Sequence, residues 1–169
     1  MAGNVAGMLL LALLLSVIVL MAQATIVSSA LMEFTQRAAF QRAEARAKTN
    51  FTITSITASG SNITVAIKNT GETSIADFKD MDFIVEYTST AGGGTKVITW
   101  LNYTTGTLAA DEWKKTSISP DNLEQNVWNE RETLTLDALL SGTLQGGTEG
   151  TVSITTPAGV SGTAYFIVP

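Results

Sequence analysis

The chain opens on a stretch without a single ionisable side chain: no Asp, Glu, Lys or Arg occurs from Met1 to Met32. Val5 to Met32 is almost continuously apolar, and Leu9 to Leu11, Leu13 to Leu15 and Val17 to Leu20 form its centre. About 20 apolar residues cross a bilayer as a helix, and this run is longer and holds no Pro. Core helices of ordinary globular proteins are shorter and carry charge on one face. The run therefore predicts a helix inserted in a membrane in the newly made chain.

Its flanks refine that expectation. Ala22-Gln23-Ala24 has the A-x-A form of a signal cleavage site, but the basic start that a secretory signal needs is missing. The segment is thus expected to be retained. The first bases, Arg37, Arg42, Arg46 and Lys48, follow the apolar run. Taken alone, they would keep the rest of the chain in the cytoplasm. The composition of the rest points to the opposite side. A short basic leader, removed after setting the orientation, would reconcile the two.

The helix is expected to continue past the apolar run, because Ala30 to Lys48 is dominated by Ala, Leu, Met, Glu, Gln, Arg and Lys. A helix from Ala2 to Lys48 would be roughly 70 Å long at 1.5 Å per residue. Glu33 and Arg37 stand at a favourable i,i+4 spacing, whereas Arg42 and Arg46 repel. Small residues recur at four-residue spacing: Gly3 and Gly7, Ala12 and Ser16, Ala24 and Ser28. Such positions let helices approach closely in an apolar medium. They are the candidate helix-packing residues, and copies of the same helix are the expected partners.

Residues 49–169 read differently. Six bases and thirteen acids give this part a charge of −7, against +2 for Glu33 to Lys48 and 0 before it, which returns the net −5 of the chain. An acidic domain lacks the basic footprint of nucleic-acid binding. The apolar period falls to two: Phe51 and Ile53, Ile63 to Ile67, Phe83 to Tyr87, Val97 to Tyr103, Val152 to Ile154 and Ala164 to Val168 all suit strands. Turn-forming residues separate them at Ser59-Gly60-Ser61-Asn62, Asn69-Thr70-Gly71, Ala91 to Gly94 and Gly146-Gly147. Short strands with such punctuation predict an Ig-like, Greek-key β-sandwich. The expected fold class is α+β: a long hydrophobic helical segment over 1–48, then an all-β head over 49–169.

The residues available exclude most chemistry. The chain has neither Cys nor His, so disulfides, thiolates and the commonest general base and metal ligand are all missing. Without His no Ser-His-Asp triad can form, and no phosphate-binding Gly-rich motif occurs. No catalytic residue and no cofactor are expected. Asp77, Asp80 and Asp82, close to Glu86, are weak candidates for a Ca²⁺ site, but their spacing is not that of an EF-hand loop. Trp100, Trp113 and Trp128 are expected to pack in the core or between subunits. Asn50-Phe-Thr52, Asn62-Ile-Thr64 and Asn102-Tyr-Thr104 are glycosylation sequons. Asn50, Asn62 and Asn102 are accordingly candidate acceptors, which fits a domain outside the cytoplasm.

The layout resembles the archaellin and type IV pilin-like superfamily, in which an apolar N-terminal helix carries a β-sandwich head. Val65-Ala-Ile-Lys-Asn69-Thr-Gly71-Glu-Thr73-Ser-Ile75 is similar to the V-x-V-x-N-x-G-x-T-x-I hairpin of archaellum accessory proteins of the FlaF/FlaG type. Trp128-Asn-Glu130-Arg131-Glu132-Thr-Leu134 resembles their W-x-P-G-E-T-L turn, with Glu130-Arg131 where Pro-Gly is usual. Thr156-Pro-Ala-Gly-Val160 resembles their last turn. Archaellins and many pilins have a Glu near the start of the helix, where this chain has Val5 and Ala6. The resemblance implies a non-enzymatic subunit of an extracellular archaellum-like or type IV pilus-like filament, used for motility or adhesion. Its helices would pack as a homo-oligomeric core after a stage in the membrane. The alternative it implies is a membrane-anchored stator or accessory protein whose head contacts the cell envelope.

Overall fold

The computed structural model describes residues 2–91 and 93–169, and within the N-terminal helix the side chains of residues 7–23, 25 and 31–48. The helix, α1 (Ala2–Lys48), is followed by eight strands. The chain divides into two compact units, Met1–Ala43 and Glu44–Pro169. The division falls inside α1 because its last turn is bonded into the β unit, where the Glu72 amide donates to the Lys48 carbonyl at 2.8 Å.

In the first unit the described side chains from Met8 to Met21 lie exposed on every side of the helix. Apolar residues on all faces are the pattern of a helix meant for an apolar surround rather than for one sheet. Among the described residues, however, no helix is long and apolar enough to cross a membrane. The expected transmembrane helix is therefore not met by the described residues.

The second unit is built from β1 (Phe51–Ser59), β2 (Asn62–Asn69), β3 (Asp82–Ser89), β4 (Thr95–Tyr103), β5 (Glu112–Ser119), β6 (Thr133–Leu139), β7 (Glu149–Thr155) and β8 (Ser161–Ile167). Hydrogen bonds connect them in the order β1-β2-β6-β5-β4-β3-β7-β8. The neighbours are antiparallel except β4 and β5, which meet in parallel over two pairs, Asn102 with Glu112 and Tyr103 with Trp113. That brief seam is where the sheet turns into two layers, β1-β2-β6-β5 and β4-β3-β7-β8. The layers close on each other through Phe83 of β3 and Trp113 of β5, whose rings meet edge to face at 5.9 Å.

Alternation explains why the layers stack. In β2, β3, β6 and β7 every second side chain is buried: Ile63, Val65 and Ile67; Phe83, Val85 and Tyr87; Leu134, Leu136 and Ala138; Val152 and Ile154. Successive side chains of a strand point to opposite faces, so this period commits one face to the core. β1 and β5 break the period with bulges, between Ile53 and Ser55 and between Lys115 and Ser117. Each bulge inserts one residue. It keeps Ile53 and Ile56, and likewise Trp113 and Ile118, packed on the same core.

Two strands, β5 and β6, were not among those the apolar pattern picked out. The bulge in β5 and its paired lysines, Lys114 and Lys115, hide the period there. In β6 the Thr-Leu alternation is regular, but the motif around Trp128 to Leu134 reads as a turn, and only its first half is one. The expected hairpin after β2 is also corrected. Asn69 to Gly71 does not fold back onto an adjacent strand; the segment runs on to Ile75, which makes an isolated antiparallel bridge with Trp128.

Position on the sheet, and not residue type, should govern stability. Leu136 is fully buried while Ile98 is 71% exposed. Leu136→Ala should cost about 2–5 kcal/mol in urea unfolding of the full chain, and Ile98→Ala no more than about 0.5 kcal/mol.

Candidate interaction surfaces

The two sequence motifs after β2 and before β6 meet at one point, the Asn69 side chain. Asn69 is buried. Its Nδ2 donates to the Thr73 carbonyl at 2.9 Å and to the Trp128 carbonyl at 3.3 Å, and its Oδ1 accepts from the Gly71 amide at 3.0 Å. Its backbone is paired too: the Asn69 amide donates to the Glu132 carbonyl and the Arg131 amide to the Asn69 carbonyl, both at 2.9 Å. Gly71 is required for a steric reason. A β-carbon there would collide with the Asn50 amide nitrogen and the Lys48 carbonyl oxygen, where the end of α1 passes into β1.

The Trp128 turn is held by Glu132. This buried carboxylate accepts from the Asn129 amide at 2.8 Å and from the Asn122 amide at 3.3 Å, while its carbonyl accepts the Trp128 indole N–H at 2.9 Å. Trp128 stacks obliquely on Phe51, with centroids 6.1 Å apart. Arg131 occupies the left-handed region at φ 67°. It stands where the resemblance has Gly, the residue that adopts this conformation without steric cost. The motif is thus architectural. It welds the end of α1, β2 and β6 together and offers no reactive group.

The tryptophans separate into two kinds. Trp113 and Trp128 are fully buried, whereas Trp100 is 65% exposed. Trp100 lies on the outer face of the β4-β3-β7-β8 layer, paired across the strands with Ile84 and two residues along β4 from Ile98. All three are exposed. At the other edge of the same layer Tyr165 and Ile167 of β8 are exposed as well. Between them lie Glu86, salt-bridged to Lys96 at 2.8 Å, and the hydroxyls of Thr151, Ser153 and Thr163. The hydrogen bond and charge of Glu86 hold the Lys96 ammonium protonated above its usual pKa. This outer face, apolar at its two edges and polar between them, is a candidate docking surface.

Asp77, Asp80 and Asp82 are all exposed around the 3-10 turn Phe78–Asp80. Among the described residues no group of three acidic side chains is placed to hold a metal ion. Asn50, Asn62 and Asn102 are all exposed. Of the helix-packing candidates, Gly7, Ala12 and Ser16 are exposed, with open space around Gly7. Gly3, Ala24 and Ser28 lie outside the residues whose side chains are described. Nearer the β unit, Glu44 bonds to Lys48 at 2.7 Å, which draws its carboxyl below the usual range.

An Ig-like sandwich following a helix, with its motif residues used for architecture, defines a structural or binding component rather than a catalyst. Residues 47–161 match the family described as conserved flagellar protein F, immunoglobulin-like domain. The chain belongs to that family and is not an enzyme. No curated relative matches it in sequence. In structure it is similar to the archaellum periplasmic stator protein FlaG from Sulfolobus acidocaldarius, with 20% identity and a TM-score of 0.53 over 70% of this chain and 99% of that one. It is similar to the stator complex of FlaF and FlaG from the same organism, with 20% identity and a TM-score of 0.52 over 69% and 87% of the two chains. The archaeal flagellum of Methanospirillum hungatei strain JF1 aligns over 98% of this chain and 93% of its own, with 15% identity and a TM-score of 0.62. At these identities the structural likenesses establish a shared fold.

Two substitutions test the architecture. Asn69→Ala leaves the Gly71 amide and the Thr73 carbonyl without their side-chain partner and should cost about 1–3 kcal/mol. Arg131→Gly should stabilise the chain by about 0.5–1 kcal/mol, the left-handed strain relieved less the extra freedom of Gly when unfolded. Chemical denaturation of the purified variants measures both.

Proposed function

We propose that this chain is an accessory protein of the archaellum, of the stator type. Its apolar N-terminal segment is inserted in the cell membrane, and its acidic β head stands outside the cytoplasm in contact with the cell envelope. Membership of the flagellar protein F family, carried by 47–161, is the observation on which the reading rests. The likeness to a periplasmic stator protein supports it. So do Tyr165 and Ile167, exposed on β8 at one edge of the outer sheet face, which suit a protein partner. In this role the chain transmits force and carries out no chemistry, which agrees with the absence of His and Cys from the sequence.

A second reading keeps the chain as a filament subunit. Its apolar helix would leave lipid for a core of like helices, where packing of small residues sets the contacts. The likeness to an archaeal flagellum over 98% of the chain, helix included, favours it.

Shearing filaments from source cells separates the readings. The stator reading expects this chain to remain with membranes and to be absent from the sheared filaments as a major polypeptide. Recovery as the dominant filament polypeptide would overturn it in favour of the subunit reading. Deleting residues 1–43 should release the head from membranes.

A further inference from the structure

The outer face of β4 places a sequon beside an unexplained aromatic residue. Asn102 and Trp100 are two apart on one strand, and both point outward: Thr95 to Tyr103 alternates so that Ile98, Trp100 and Asn102 are exposed while Leu101 between them is buried. Side chains at i and i+2 of a strand share a face and stand about 6–7 Å apart. That is the reach of the first sugar of an Asn-linked glycan folded back along the strand. The other two sequons lack such a neighbour: the residue two before Asn50 is Lys48, and the one two before Asn62 is Gly60.

An indole left 65% exposed beside exposed Ile98 and Ile84 is a costly surface unless something covers it. A pyranose ring has an apolar face of axial C–H groups, electropositive at its hydrogens. It complements the electron-rich face of an indole in the way a cation or an aromatic edge does. We propose that Asn102 is N-glycosylated and that the sugar attached to it lies on the Trp100 indole, with Ile84 and Ile98 bordering the contact. The chain's own glycan is thus the occupant of this apolar edge. The inference rests on the head standing outside the cytoplasm, as proposed above.

The modification requires a membrane oligosaccharyltransferase and a lipid-phosphate-linked oligosaccharide as co-substrate. The Asn102 Nδ2 forms a bond to the anomeric carbon, and the bond from that carbon to the phosphate oxygen breaks. The phosphate leaves on the lipid with the electron pair, and the amide proton passes to a base of the transferase. Thr104 supplies the sequon hydroxyl.

The tryptophans make the stack readable. Trp113 and Trp128 are fully buried, so acrylamide quenching of indole fluorescence reports Trp100 alone. The full chain, purified in detergent from source-cell membranes, should carry a glycan mass on the peptide containing Asn102. The Asn102→Gln and Thr104→Ala variants should lose that mass, and in both the accessible quenching should rise about twofold or more as the indole is uncovered. Trp100→Ala should keep the glycan and lose the quenchable signal. A bare Asn102 on a head that externally added protease can reach would overturn this inference and leave the proposed function standing. A head that protease reaches only after the membrane of envelope-stripped cells is lysed would overturn both. A glycan at Asn102 with quenching unchanged in Asn102→Gln would overturn the stack.

Discussion

The head depends on one buried side chain, the amide of Asn69. A short polar group in the interior is tolerable only when each of its donors and acceptors is matched. Here the matches are all backbone groups, and they belong to two separate pieces of chain: its own turn at Gly71 and Thr73, and the Trp128 turn that precedes β6. The Asn69 backbone is tied to Arg131 and Glu132 in the same place. The loop leaving β2 is therefore fixed against the loop entering β6, and those two strands are neighbours in the sheet. Gly71, brought against the Lys48 carbonyl and the Asn50 amide, adds the end of α1 to the same knot.

Glu132 is a second buried polar group of this junction. A buried carboxylate without a cationic partner is costly, yet it is held here by two backbone amides, and its own carbonyl accepts the Trp128 indole. Three lone donors of an irregular turn are satisfied by one residue. The pattern Trp, then Glu, then Thr-Leu is thus the chemistry of closing a turn on a tryptophan and starting a strand. Arg131 shows that the turn's conformation is set by this network, because a non-glycine residue is kept at positive φ within it.

Much of the fold was legible. Period-two alternation marks β2, β3 and β7, because each buries a single face, and the Gly- and Asn-containing turns mark their ends. The change of period after Lys48 marks where helix gives way to strand. β5 was not legible, because its bulge shifts Ile118 out of phase with Trp113 and its lysines resemble a loop. β6 was obscured by the adjoining motif. The interaction surface was only half legible. A sequon is visible in any sequence, but the three tryptophans are equivalent in one dimension. Their division into two buried and one exposed follows from which face of which strand the register assigns to each.

By itself the sequence determined that a charge-free apolar segment precedes an acidic β domain, and that neither Cys nor His is present for thiolate or imidazole chemistry. These are properties of composition and period, and they hold whatever the contacts. Tertiary structure decided the rest. It brought Asn69 and Gly71 together with Trp128 and Glu132, a distant stretch of the chain, in one hydrogen-bonded junction. It also left Trp100 outward beside Asn102, because the pleat of β4 gives Leu101 to the core and its two neighbours to the outer face.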